Sequence, residues 1–153
     1  MDGHLDDEAI RGLLLAASKD PSDGLRQETI ALLTTRPQAV DVRDALVYTV
    51  RNDRNAGVRL KALEGLQAFI GEPDVRGALA DVLSSDANPA MRMGAIDLLM
   101  QGLDAGQSRT PADIVDPRMV GVLQELISRE ENPYMRQKCQ RALELVKASA
   151  EVF

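Results

Sequence analysis

The chain has 153 residues, 44% of them apolar and 27% charged, a balance that supports a folded core and is too apolar for a disordered tail. Its formal charge of −6 argues against nucleic acid or an anionic membrane as partner, because both need a clustered basic surface. Two Phe, two Tyr and no Trp leave a core of Leu, Val, Ile, Ala and Met, which favours helix packed on helix over β-sandwiches and barrels.

The opening stretch, Met1 to Glu8, is acidic where a signal peptide is basic and then apolar. The longest apolar run, Leu13 to Ala17, is too short to span a bilayer. From there apolar residues recur at three-to-four spacing, which predicts helices in pairs over 6–18 and 24–35, 41–52 and 56–70, 74–85 and 89–102, and 116–129 and 132–148. In the second pair Val42, Leu46 and Val50 form one stripe and Val58, Ala62, Leu63, Leu66 and Ile70 another, with Asn52 to Asn55 as the polar turn. Asn88-Pro89 and Asn132-Pro133 open later helices with a capping side chain and a proline that needs no amide partner, and Asp116-Pro117 gives the same signal. Residues 103–115 interrupt the series, and Thr110-Pro111 could cap one helical turn that tucks Ile114 and Val115 onto the stack.

The pairs are copies of one unit. Val42-Arg43-Asp44-Ala45-Leu46, Val75-Arg76-Gly77-Ala78-Leu79 and Met119-Val120-Gly121-Val122-Leu123 begin three of them, and Ile10-Arg11-Gly12-Leu13-Leu14 begins a weaker first copy. The arginines Arg26, Arg59 and Arg92 are 33 residues apart, and the 44 residues to Arg136 place an insertion of eleven in the last step. In register, Leu25, Val58, Met91 and Met135 form one core column and Leu33, Leu66, Leu99 and Leu143 another. Thr29, Ala62, Ala95 and Cys139 form a column of small residues where helices approach closely. A lone hairpin cannot bury both faces, so such units must stack. One repeat domain over 1–153 is expected, with copies near 6–35, 41–70, 74–102 and 116–149.

The order of a polar cap, a small residue or proline, Val or Met, then Arg, followed by Ala-Leu and a further Leu, resembles HEAT repeats of the short bacterial kind. Asp53 to Leu66 and Asp86 to Leu99 carry it best. The resemblance implies an all-α, right-handed α-solenoid of about four HEAT-like hairpins. More narrowly, Asn55 to Leu66 and Asn132 to Arg136 resemble HEAT segments C-terminal to bacterial zinc-finger anti-sigma factors. It also implies a structural use for the arginine column. Arg26, Arg59, Arg92 and Arg136 would pair with Asp20, Asp53, Asp86 and Glu130 of the same copy and with orphan carbonyls of the neighbouring one.

Little in the chain points to catalysis. One cysteine and one histidine exclude an internal disulfide, a multi-thiolate zinc site and most triad chemistry. His4 with Asp6, Asp7 and Glu8 is a weak metal constellation, better used in capping a helix. Cys139 fits a small buried position, although Lys138 and Arg141 nearby would favour a thiolate. No cofactor or metal is expected. A HEAT-like lyase or DNA glycosylase is the enzymatic alternative and would need a polar pocket or a basic, aromatic-lined groove. Arg43, Arg51, Arg54, Arg59 and Lys61 make the second copy locally basic, but Tyr48 and Phe69 are its only aromatics.

What remains is surface. The outward positions of the second helices would be Gln27, Glu28 and Ala31, then Leu60, Lys61 and Glu64, then Met93, Asp97 and Met100, then Gln137, Lys138 and Arg141. Leu60, Met93 and Met100 are apolar where solvent is expected, which suits a flexible apolar contact with a helix or peptide. The expected function is a non-catalytic scaffold that binds a protein or peptide, with a structural spacer as the plain alternative. The expected place is the cytoplasm, or the extracytoplasmic side if the chain is part of a membrane-anchored regulator.

Overall fold

A computed structural model of the chain describes residues 12, 15, 17–35, 40–104 and 118–151. The predicted helix over 6–18 is described only at isolated positions and its last turn. His4 and the acids beside it, most of the 103–115 insertion and Asp116-Pro117 lie outside the described residues. The described elements are α1 (Asp23–Leu33), α2 (Val40–Asn52), α3 (Ala56–Gly65), a 3-10 helix (Leu66–Phe69), α4 (Pro73–Ser85), α5 (Pro89–Asp104), α6 (Met119–Arg129) and α7 (Pro133–Glu151). Among the described residues all regular structure is helical, as an all-α solenoid class requires, and no helix is long and apolar enough to cross a membrane.

The helix starts follow from side chains that satisfy orphan amides. The Ser22 hydroxyl accepts the Leu25 amide at 3.3 Å and the Asn55 side chain accepts Val58 at 3.1 Å. Asn88 accepts Ala90 at 2.8 Å, and Asn132 accepts Tyr134 at 2.9 Å and Met135 at 3.3 Å, with Pro89 and Pro133 each at the first helical position. α3 is shorter than its apolar stripe predicts. The α-helix stops at Gly65 and the chain tightens into the 3-10 turn that carries Leu66 to the core.

The chain groups into two compact units, Met1–Ala68 and Phe69–Phe153. In the first, α2 and α3 form a hairpin and α1 packs on α3. Ile30, Leu33, Val42, Leu46, Val58, Ala62 and Leu66 are fully buried there. In the second, α4–α5 and α6–α7 are hairpins; α4 packs on α6 and α5 on α7. First helix lies on first and second on second, so the unit stacks two hairpins in one sense. Its core runs through Val75, Leu79, Leu83, Met91, Ala95, Ile96, Met119, Leu123, Cys139 and Val146.

The column of small residues is buried throughout, at Thr29, Ala62, Ala95 and Cys139. One core column departs from expectation: Val58, Met91 and Met135 are buried but Leu25 is 41% exposed. Leu25 lies in the first turn of α1. In the other leucine column Leu33, Leu66 and Leu99 are buried and Leu143 is half-buried.

Close approach explains why α3 ends in glycine. A Cβ on Gly65 would clash with Thr34 Cγ2 and lie 3.1 Å from Leu46 Cδ1, whereas one on Gly121 in α6 would meet nothing within 4 Å. Gly65→Ala should therefore lower stability by about 1–3 kcal/mol through overpacking. Gly121→Ala, in an exposed helical site, should raise it by up to about 1 kcal/mol. Urea titration of both variants checks the opposite signs.

Candidate functional site

The arginine column makes the same contact in all four copies. Each guanidinium donates to the backbone carbonyl six residues upstream: Arg26 to Asp20 at 2.9 Å, Arg59 to Asp53 at 3.0 Å, Arg92 to Asp86 at 3.1 Å and Arg136 to Glu130 at 2.8 Å. The carboxylate contact runs the other way from the one expected. Arg26 Nε and Nη2 fork onto Asp53 of the next copy at 2.8 and 3.0 Å, and Arg92 Nη2 reaches Glu130 of the next copy at 3.4 Å. At Arg26 and Arg92 the column acid of the same copy thus supplies its carbonyl and that of the following copy its carboxylate, while Arg26 also pairs with Asp23 of its own helix.

The reason lies in the turn. Asp20, Asp53 and Asp86 each accept the amide two residues further on at 2.9 Å, so the side chain folds over its own turn and only the carbonyl faces the arginine that follows. The orphan carbonyls of a neighbouring copy are taken by another residue. Arg129 donates to Leu83 and Ser84 at the end of α4, at 3.1 and 2.9 Å, and Arg118 reaches Asp81 at 2.8 Å. Neither residue shares a repeat column with an equivalent arginine, so the alignment carries no signal for them.

The Arg26–Asp53 pair is withdrawn from water, with both side chains under a tenth exposed. Asp53 raises the Arg26 guanidinium further above its ordinary value, against the opposing cost of burial. Burial works to raise the Asp53 carboxyl, but Arg26 and the Asn55 amide outweigh it and hold the group below the usual carboxylate range. Asp23 completes the cluster, lowered chiefly by Arg26 and then by the Asn55 side chain. This arrangement holds two repeats together; it presents no open charge to a ligand.

Cys139 is fully buried in the small-residue column of α7. Burial, assisted by the nearby Glu130 charge, pushes its thiol up to about 11. A nucleophilic role needs a depressed value and access, and the site offers neither.

The proposed contact residues divide between the units. Leu60, Lys61 and Glu64 lie on α3; Leu60 and Lys61 are half-buried, Glu64 is exposed, and Lys61 sits 3.7 Å from Glu64. Met93, Asp97 and Met100 form a half-buried stripe on α5, and Lys138 and Arg141 lie on α7. The structure brings Asp97 and Lys138 into direct contact across the two helices. That bond with Asp97, more than the Tyr134 ring 5.1 Å away, holds the Lys138 ammonium above its ordinary value. Lys138 is therefore a tied group, and Arg141 is the exposed cation of the stripe.

A second surface was not anticipated. α2 lines a groove of about 730 Å³ with Asp41, Asp44, Ala45, Tyr48 and Asn52, completed by Leu15, by Ser18 to Pro21 and by the Asp53-Arg54 turn. Its signal in the sequence was an exposed-looking tyrosine one and two turns beyond two aspartates. A smaller polar hollow of about 390 Å³ surrounds Asp86, Arg92, Arg129 and Glu130 in the second unit. Among the described residues no three His, Cys, Asp or Glu side chains are grouped to hold a metal ion.

Stacked helical hairpins, an arginine that clasps its own turn and the next repeat's acid, and a small-residue seam together define a helical-repeat protein. The family model for HEAT repeats matches residues 10–100 and again 43–144. The chain belongs to the HEAT-repeat family, whose members generally serve as protein-interaction scaffolds. No curated protein and no solved structure matches it.

A double-mutant cycle on Arg26→Ala and Asp53→Ala should give a coupling well above that of the exposed Lys61–Glu64 pair, measured by urea unfolding. Because the folded-state value of Asp53 is depressed, its stabilisation is present above the unfolded carboxylate value of about 4 and is lost as pH falls through the lower folded value. Asp53→Asn should flatten that acid limb, and an unchanged limb would remove the assignment. Cys139, the one thiol of the chain, should react with a disulfide reagent only at the rate of opening in native buffer and at once in urea; rapid native labelling contradicts its burial.

Proposed function

We propose that the chain is a non-catalytic scaffold that binds a partner protein or peptide through the outward faces of its second helices. The supporting observation is the α5–α7 stripe. Met93, Asp97 and Met100 follow one another at four- and three-residue spacing, Lys138 is fixed against Asp97, and Tyr134 beside it is 59% exposed. Half-buried methionines adapt to differently shaped apolar partners, and the charges at their edge set approach and register. On the first unit, Leu60, Lys61 and Glu64 supply the same mixture on α3.

The enzymatic alternative needs titratable groups converging on a pocket with values displaced for chemistry. In the α2 groove the displaced carboxyl is Asp53, and its displacement is accounted for by Arg26. That favours recognition over catalysis. The likeness of Asn55–Leu66 and Asn132–Arg136 to the HEAT segments of zinc-finger anti-sigma factors supports a finer role, as the sensing or interaction domain of a bacterial transcription regulator. The corresponding place is the cytoplasm, or the extracytoplasmic side in a membrane-anchored regulator.

Reversing Lys61 and Arg141 together, as Lys61→Glu with Arg141→Glu, should reduce recovery of cross-linked partners several-fold while leaving the melting curve in place, since edge charges act mainly on encounter and specificity. Unchanged recovery would remove the second-helix face as the contact surface.

A further inference from the structure

The contacts that join one repeat to the next are directional, and the first and last copies each hold one half of a contact that the interior makes in full. Two columns mark the face that a second helix turns toward the copy before it. On α3, which packs on α1, they are Val58 and Gly65, both buried, and a Cβ on Gly65 would clash with Thr34 at the end of α1. On α7, which packs on α5, they are Met135 and Ala142, 3% and 0% exposed. On α1 the same columns hold Leu25 and Leu32, which are 41% and 53% exposed. These leucines stand seven residues apart, two turns along one face of the helix.

The clasp has the same asymmetry. Asp53 and Glu130 each receive the arginine of the copy before, Arg26 and Arg92. Asp20 holds that position ahead of α1. Its carboxylate accepts the Ser22 amide, as that of Asp53 accepts Asn55, but among the described residues no guanidinium reaches it. On α7, Arg136 keeps the carbonyl half of the clasp, 2.8 Å from Glu130, and is exposed. Among the described residues no carboxylate meets it. The first copy thus has the acceptor without its arginine, and the last copy has the arginine without its acceptor. One further column sets the strength of any joint between them. Ile30 on α1 and Ile96 on α5 are buried, whereas α7 carries Gln140 at that position, exposed.

We propose that copies of this chain associate head to tail, α7 of one molecule covering Leu25 and Leu32 on α1 of the next, with its Arg136 completing the clasp on Asp20. The site at Asp20 is incomplete without the guanidinium of a second molecule. The interface is heterologous, so each molecule offers both halves and association continues past the dimer or closes into a ring. A single helix face with glutamine in place of isoleucine is a small, partly polar interface, which makes the joint reversible and weak. Two α1 helices placed face to face would cover the leucines but oppose two Asp20 carboxylates. An apolar helix of another protein would cover the leucines and leave Asp20 unmatched.

The test is sedimentation equilibrium of the full chain at low salt, over a concentration series reaching millimolar. The average mass should rise with concentration and fall back as salt screens the clasp. Asp20→Asn keeps an acceptor for the Ser22 amide and should weaken association about tenfold, as loss of a charge-assisted bond implies. Leu32→Asp should weaken it by at least about tenfold, because an apolar contact becomes a buried charge. Leu32 is exposed, so an unchanged melting curve verifies the fold of that variant. Asp20→Arg alone and Arg136→Glu alone should each stay monomeric, and mixing the two should restore association through the reversed pair. A chain that remains monomeric at millimolar concentration overturns the proposal, as does association that none of these variants alters. Association lost in Leu32→Asp but kept in Arg136→Glu assigns a face-to-face α1 pair, and the proposal falls. It also falls if methyl-labelled leucines show Leu25 and Leu32 in contact with residues 1–11 of their own molecule. Lys61→Glu with Arg141→Glu should leave the association unchanged; its loss there would move the contact to the second-helix face and overturn the head-to-tail joint.

Discussion

The structure depends on how one buried guanidinium is satisfied. Arg26 is almost fully withdrawn from water, a position tolerable only if its donors find acceptors. It divides them among three sources: carbonyls of its own turn, Asp20 and Pro21, the carboxylate of Asp23 in its own helix, and the carboxylate of Asp53 in the next copy. The carbonyl contacts shape the turn before α1, and the Asp53 contact ties that turn to the one before α3. In the second unit Arg92 does the same between Asp86 and Glu130. Leucine and alanine layers are attractive but poorly directional, and neighbouring repeats can slide on them at modest cost. A forked, short, charge-assisted contact is directional, so the arginine fixes the register in which the layers close. Its value is geometric more than energetic, since buried ion pairs recover much of their gain only to repay desolvation.

This division of labour explains what could be read from the chain alone. Whatever recurs in a column was legible: the hairpin pairs, the Asn-Pro starts of α5 and α7, the small seam of Thr29, Ala62, Ala95 and Cys139, and the arginine itself. The direction of the carboxylate contact was not. A column states which residues share a role and is silent on whether an arginine faces its own copy or the next. Asp20 and Asp53 fit Arg26 equally well by type and spacing from their turns. Only the fold of each aspartate over the amide two residues on, which turns its carboxylate from the arginine that follows, decides between them.

Surface features were harder to read for a related reason. The Asp97–Lys138 contact joins residues 41 apart, from two columns that have no common partner in the other copies. The α2 groove requires the segment around Ser18 to lie beside a helix that begins over twenty residues later, and Asp41, Asp44 and Tyr48 taken alone look like an ordinary solvated face. Leu25 erred in the opposite direction. Its column is buried at Val58, Met91 and Met135, and the pattern alone does not distinguish the copy in which it is 41% exposed. Repetition encodes what the repeats do for one another, and the sites that face outward are those where the copies differ.

The same logic assigns the aromatic residues and the charge. A tyrosine would overfill the thin Leu/Ala layers between hairpins, and both tyrosines are placed outside, Tyr48 60% and Tyr134 59% exposed. In the described clasps the structural arginines are matched by acids, Arg26 with Asp53 and Arg92 with Glu130, so these pairs consume basic and acidic groups together. The net negative charge of the chain is therefore carried by residues outside these clasps. A helical frame that uses its arginines internally leaves carboxylates to meet the solvent, where each is hydrated at little cost.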